Sequence, residues 1–482
     1  MDIDELLDTH DAVGLAGLVR DGQVAPRELL DAVATRIETR DPRVRAVVAN
    51  RVDEARAEIE AGLPDGPLRG VPFMLKDLGC DIAGLPSTEG SRLFADAVAA
   101  DDGILATRYR RAGLVLVGKT STPEFGKNSS TESVLHGRTA NPWNLAHSSG
   151  GSSGGSSAAV AAGIVPAAHA NDGGGSTRIP ASYCGLVGLK PTRGRVPDDR
   201  GRSAFGYPFA VAHALTRTVR DSAALLDAVS GPLPGDAYAS PAGPAEGSFL
   251  AALGRVTARL RIAVAWEAPN GTVAHPAAVR AVERTAATLS GLGHHVEAGG
   301  PVWDMAAAAR ASAVIMAAAV RMKIQDRLAA LGRTDAGDDI EPFTRYIQEA
   351  TANLHASDLA RALRTAELTG RQVAPFFERF DVWLTPTVAI APPPLGLLDT
   401  TDPAAMARHA PSTVAFTQVF NVTGAPAVSV PAGFDEAGLP VGVQLAGRFG
   451  AEADLLGVAA ELERAAPWPW QAPWNPTAAV HG

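Results

Sequence analysis

Apolar residues recur along this chain in two rhythms. After Pro26, a good first-turn residue, Leu29, Leu30, Val33 and Ile37 return at helical spacing, and the polar stretch 38–43, which contains Pro42, ends the pattern. Residues 45–49 (RAVVA) predict a short strand, 52–63 a helix with its charges on one face, and 70–77 (GVPFMLKD) a buried strand that runs into Lys76. Residues 106–112 predict a helix and 114–118 (LVLVG) a strand, an alternation that points to an α/β layered fold. Further on, 158–163 reads as a buried helix, 165–169 as a short strand and 216–229 as a helix, while 231–247, rich in Gly, Pro and Ala, is a surface excursion. A strand at 261–265 and a helix at 276–292 lead to 295–298, and residues 306–331 and 358–377 form a largely helical block suited to covering a sheet. A strand at 380–385 is closed by Pro386, segments 427–430 and 441–445 bracket the turn Asp435-Glu436-Ala437-Gly438 as a hairpin, and 455–464 is a last helix. No repeat of about 20 to 50 residues is present, which excludes a solenoid.

Composition narrows the function. A chain of 482 residues that is 46% apolar and 20% charged can bury a full core and hold a deep pocket. Its net charge of −9 is spread along the sequence with no basic stripe, so nucleic acid is not an expected partner. The first residues, MDIDELLDTHDAVGLAGLV, carry carboxylates where a secretory signal has positive charge, and no run approaches the roughly 20 apolar residues of a membrane span. A cytoplasmic location without a membrane partner is the expectation. Cys80 and Cys184 are too few for a disulfide framework and lack metal-ligand spacing, so two reduced thiols and no bound metal are expected. Of 43 basic residues only five are lysines: Lys76, Lys119, Lys127, Lys190 and Lys323. Arginine keeps its proton in a protein, whereas a buried lysine can become neutral and act as a base, so a lysine ending an apolar strand is a candidate for that chemistry.

Two glycine-serine segments stand out, SSGGSSGGSS at 148–157 and NDGGGSTRIPA at 171–181. A linker joins independent units, but the first run passes directly into AAVAAG, a helix fit only for a core, so it belongs inside a domain. It lacks the lysine of a phosphate loop, because Ser156 follows Gly155, and it lacks the strand that precedes a dinucleotide fingerprint. Gly150-Gly151-Ser152-Ser153-Gly154 fits the G-x-S-x-G elbow of α/β-hydrolases, but the pattern predicts no strand before it, and His213, His295 and His409 have no recognisable acid partner. In the second segment Gly173, Gly174 and Gly175 place consecutive N–H groups beside the Ser176 hydroxyl, a geometry suited to an oxyanion hole with its nucleophile. Asp172 and Arg178 flank it with opposite charges and can brace the loop.

Lys76 in GVPFMLKD, the GGSSGGSS run and NDGGGSTRIPASYCGLVGLKPTRGRV together resemble the amidase signature family. The resemblance spans most of the chain, from ELLDAVATRI through LTPT to GLPVGVQLAGRFGAEADLL, and departs from the commonest pattern where TDTGGS becomes NDGGGS and GGSA becomes GGSS. Neither change removes a catalytic atom. It implies an α/β/α sandwich, a large mixed twisted sheet covered by helices on both faces, with 1–482 as one domain: N-terminal helices to about 65, a signature core at about 66–230 and a helical cap at about 300–378. It also implies a triad of Lys76, Ser152 and Ser176 with a cis Gly151–Ser152 peptide, in which Ser176 attacks an amide carbonyl. Backbone N–H groups from Gly173, Gly174, Gly175 and Ser176 would hold the oxyanion, with Gly151, Asp172 and Arg178 as structural support and no cofactor. The spacing of the family's two serines selects Ser152 over Ser149 or Ser153.

The substrate is less legible. HANDGGGSTRIPAS and GRTANPWNL are similar to segments of hydrolases that act on nylon-type oligomers, and aryl amides, carbamates and esters also suit the triad. Phe125, Lys127 and Ser129 lie in the segment that lines the pocket in this family, and Met316 on the Ala-rich helix could form an apolar wall. Lys127 reads either as a partner for a substrate carboxylate or as a solvated surface lysine. The expected ligand is a small-molecule amide, and a homodimer is left open. The alternative function is that of an A-subunit-like glutaminase, which supplies ammonia to a tRNA-dependent amidotransferase complex.

Overall fold

The segment PFMLK ends in the middle of the molecule because every one of its five residues is buried, a pattern that only a strand covered on both faces tolerates. It is one of eleven strands in a single sheet: β1 (Val47–Asn50), β2 (Pro72–Lys76), β3 (Val115–Thr120), β4 (Ala167–Asp172), β5 (Val187–Lys190), β6 (Val211–Thr216), β7 (Arg261–Val264), β8 (His295–Ala298), β9 (Val382–Pro386), β10 (Ala427–Phe434) and β11 (Pro440–Gly447). Their order is β1-β3-β2-β4-β6-β5-β10-β11-β9-β7-β8. Strands β3, β2 and β4 are mutually parallel, as are β9, β7 and β8, while the pairings from β4 to β9 through β6, β5, β10 and β11 are antiparallel. The sheet is therefore mixed, and helices flank it, as the α/β/α expectation requires. The computed structural model describes residues 2–197, 208–254, 259–268 and 271–474.

One continuous core joins Phe73 and Leu75 of β2, Val115 and Val117 of β3, Ala168 and Ala170 of β4, and Val443 and Leu445 of β11 to the flanking helices. Most elements fall where periodicity places them, and the departures have local causes. The first long helix runs from Pro26 to Val44, past the predicted stop and in spite of Pro42, and Arg45 closes it in the left-handed region at φ 52°. Helix Gly154–Ala161 begins four residues before the predicted start, with the second half of the glycine-serine run as its first turn. Sequence pattern predicts neither β5 nor β6, since both faces of these strands are covered and no polar alternation marks them. It also predicts no strand in NPWNLAH, yet Asn144–Ser148 pairs with Ala140–Asn141 in a two-stranded ribbon outside the main sheet.

The Ala-rich block is a cover. Helix Met305–Ala330 packs on Ala356–Val373 and sends Val320, Ile324 and Leu328 into a cluster with Leu78, which follows β2, and with Phe125. By length and mean hydropathy this helix alone among the described residues could cross a membrane, but Arg321 and Lys323 interrupt it and bond to Gln348 and Glu89 of neighbouring segments.

Candidate active site

Parallel strands β2 and β4 bring Lys76 and the NDGGGS loop side by side. Lys76 has no exposed surface, and its Nζ lies 2.7 Å from Ser152 Oγ and 2.7 Å from Asn171 Oδ1. Burial drives this amine well below the ordinary lysine range, an effect only partly offset by the charge of Asp172. An ammonium carries three donors and would need three acceptors, and the site offers a carboxamide oxygen and a hydroxyl. The neutral form fits this surrounding.

Ser152 stands just ahead of helix Gly154–Ala161, and the Gly151–Ser152 peptide is cis. A Cβ at Gly151 would meet the backbone of Asn128, Ser129 and Ser130 at 2.6 to 2.8 Å, so this stretch lies directly on the serine run and only glycine fits between them. Ser176 joins the same place through its carbonyl, which accepts from Ser153 N at 3.2 Å. Ser152 is 1% exposed while Ser176 keeps partial access to solvent. Of the two hydroxyl-bearing residues, Ser176 is thus the more open and Ser152 is sealed. The two hydroxyls are not hydrogen-bonded to each other.

The loop between Asp172 and Arg178 is fixed from beneath. Arg178 Nε and Nη2 donate to Asp172 Oδ2 and Oδ1, each at 2.9 Å, and neither side chain has exposed surface. Burial acts to raise the Asp172 carboxyl, but the charge and hydrogen bonds of Arg178, with Asn421, hold it well below the usual carboxylate range. Asp172 also accepts from Gly175 N at 2.7 Å and Thr177 N at 3.2 Å. This corrects one expectation: the Gly175 N–H is engaged with Asp172, and the donors left free are those of Gly173, Gly174 and Ser176. Gly175 instead serves the turn, with φ 137° and a Cβ position only 2.4 Å from Thr417 Oγ1. Thr417 Oγ1 in turn donates to Gly174 O at 2.6 Å.

The expected pocket residues divide. Met316 is partly exposed, and its Cε stands 3.4 Å from where a Gly173 Cβ would be, so it lies against the free donors. Phe125 is wholly buried and packs edge-on against Phe94; it backs the region rather than facing a ligand, because a ring closed off on all sides offers no contact surface. Ser129 is 8% exposed, with its hydroxyl accepting from Thr413 Oγ1. Lys127 is partly accessible yet set among protein, and burial alone pushes its amine down to about 7; no carboxylate among the described residues pairs with it. Sequence reasoning did not single out Asn171, Thr417, Asn421 or Gln444, which hold Lys76 or the loop. For Asn171 a signal existed, since in β4 it alternates with His169, whose Nδ1 accepts from Lys76 N at 3.3 Å. Among the described residues no group of three His, Cys, Asp or Glu side chains is arranged to hold a metal.

The Amidase family model matches residues 28–456, which span Lys76, the serine run and the NDGGGS loop. The chain belongs to the amidase signature family. It is an amide hydrolase by that membership, and the relatives that follow match it over nearly their whole length. The 6-aminohexanoate-cyclic-dimer hydrolase of Paenarthrobacter ureafaciens is 37% identical over 473 residues, covering 95% of both chains. A solved 6-aminohexanoate cyclic dimer hydrolase with bound substrate superposes with a TM-score of 0.92 at 35% identity, covering 98% of this amidase and 99% of that chain. The glutamyl-tRNA(Gln) amidotransferase A-type component of Thermotoga maritima gives a TM-score of 0.78 at 28% identity, over 98% of each chain.

Proposed function

We propose that this amidase cleaves a carboxylic amide through an acyl-enzyme on Ser176, with Lys76 and Ser152 as the proton relay. Neutral Lys76 takes a proton from Ser152 Oγ as Ser152 takes one from Ser176 Oγ, and the Ser176 oxygen attacks the carbonyl carbon. The free N–H groups of Gly173, Gly174 and Ser176 receive the oxyanion. Ser152 then delivers its proton to the leaving nitrogen, the C–N bond breaks, and water attacks the acyl-enzyme by the same relay in reverse. The observation that carries this reading is the wholly buried Lys76 amine, 2.7 Å from Ser152 Oγ and without a carboxylate on it.

Amide cleavage needs the leaving amine protonated, whereas an ester alkoxide leaves more readily. Ser152→Ala is therefore expected to lower amide turnover more than ester turnover, and Ser176→Ala to abolish both. A panel of linear, aryl and cyclic amides, carbamates, esters and glutamine, assayed on wild type and both variants, tests the reading. Equal losses on amides and esters in Ser152→Ala remove the relay; glutamine as the preferred substrate would turn the assignment toward ammonia supply. Cyclic amide dimers belong in the panel because a relative 37% identical carries that substrate in its name.

A further inference from the structure

The buried amine has one neighbour beyond the relay. Asn171 Oδ1 lies 2.7 Å from Lys76 Nζ, and the orientation of this carboxamide is set from its other end, where Nδ2 donates to Leu78 O at 2.7 Å. The bond to Leu78 therefore turns an oxygen, never an NH2, toward the lysine. A neutral amine has two N–H groups and one lone pair; with one N–H committed to Asn171, the lone pair is free to meet the Ser152 O–H.

Charge around this point is arranged to the same end. Asp172, the next residue, has its carboxylate bound by Arg178 and Asn421. Asp77, the next residue after Lys76, is paired with Lys119 of β3 at 3.2 Å. His169 sits under the Lys76 backbone, and burial above all pushes it down to about 3, so it carries no charge at working pH. The loop thus places a carboxylate at 172 facing an arginine and an isosteric but uncharged acceptor at 171 facing the base. We propose that Asn171 is a positioning residue that aims the Lys76 lone pair at Ser152 and, by being an amide rather than a carboxylate, leaves the amine unprotonated. This rests on the reading of Lys76 as the base, and Asn171 itself touches no substrate.

The test is the pH profile of kcat/KM for a neutral amide in wild type, Asn171→Asp, Asn171→Ala and Lys76→Ala. A carboxylate at 171 pairs with the ammonium, so the acidic limb of Asn171→Asp moves up by about 1–3 pH units, with activity below the new limb falling about tenfold per unit of that movement and returning above it. The position of that limb does not depend on how much of the variant folds. Asn171→Ala, which leaves space rather than a clash, is expected to lower kcat at least about tenfold with KM changed little and no upward movement of the limb. An Asn171→Asp limb that coincides with that of wild type, or wild-type kcat in Asn171→Ala, overturns the proposal while an inactive Lys76→Ala leaves the base in place. Near-normal amide turnover in Lys76→Ala removes the base itself.

Discussion

Replacing Arg178 by methionine isolates the support beneath the catalytic loop. The guanidinium makes two bonds to Asp172 and three more, to Thr417 O at 2.9 Å, Gln444 Oε1 at 2.8 Å and Asn421 Oδ1 at 2.7 Å, with no solvent access for either charge. Methionine fills much of the volume but leaves the Asp172 carboxylate buried without a cation. Removing one partner of such a pair costs about 3–5 kcal/mol, mostly as the uncompensated charge. Asp172→Asn together with Arg178→Met removes that charge, so the double variant is expected to be more stable than Arg178→Met alone. Unfolding in urea, followed by tryptophan fluorescence and circular dichroism with coincident transitions, measures both differences. Because Asp172 also fixes Gly175 N and Thr177 N, displaced oxyanion donors should lower kcat in Arg178→Met by about 10²- to 10³-fold. Stability within about 1 kcal/mol of wild type, or a double variant no more stable than the single one, would refute the assignment of that cost to an unpaired charge.

Three other outcomes follow from the geometry. His213 is buried, with burial moving it from 6.5 to about 3, so the fold favours its neutral form and loses stability as pH falls below 6.5. Between pH 8 and 5.5 this is on the order of 1 kcal/mol, and His213→Gln should remove that portion of the pH dependence in denaturant titrations at the two pH values; an unchanged slope contradicts it. Gly155→Ala drives a Cβ to 2.3 Å from Ser121 N and 2.5 Å from Ser121 O, and should cost at least about 1–3 kcal/mol in the same assay. For Lys127, whose amine titrates near 7, the KM of an amide bearing a free carboxylate should rise as pH passes from 7 to 9. In Lys127→Met the KM ratio of acidic to neutral substrates should increase about tenfold, and an unchanged ratio would place this amine outside the pocket.

The lysine at the end of β2 was legible because burying an amine is costly enough to need a reason, and three of the five lysines, Lys76, Lys119 and Lys190, prove wholly buried. The first glycine-serine run was legible as part of a domain because it passes straight into a core helix, but choosing Ser152 within it rested on the family's serine spacing, and Ser176 on the glycines before it together with the resemblance. Residues that approach the site from afar in sequence left no such mark: Thr417, Asn421 and Gln444 meet Arg178 across more than 230 positions. Gly175 could not be told from Gly173 and Gly174 without knowing which N–H Asp172 takes. Strands β5 and β6 escaped because VGLK and VAHALT carry polar residues inward, where partners such as Ser222 for His213 accept them.

Strand β10 sits beside β5, and just before β10 the helix Gln418–Thr423 and the Thr417 that caps it supply a carboxamide oxygen from Asn421 and a carbonyl from Thr417 to Arg178. A nascent chain that has emerged only through the serine runs holds Lys76, Ser152 and Ser176 but neither this strand nor this helix. Under the proposed relay, competence therefore waits until the segment carrying Thr417, Asn421 and Gln444 has been made. Breaking the chain anywhere between Arg178 and Thr417 separates Ser152 and Ser176 from the Thr417, Asn421 and Gln444 contacts on Arg178, so halves expressed apart should be inert and regain turnover only on reassembly.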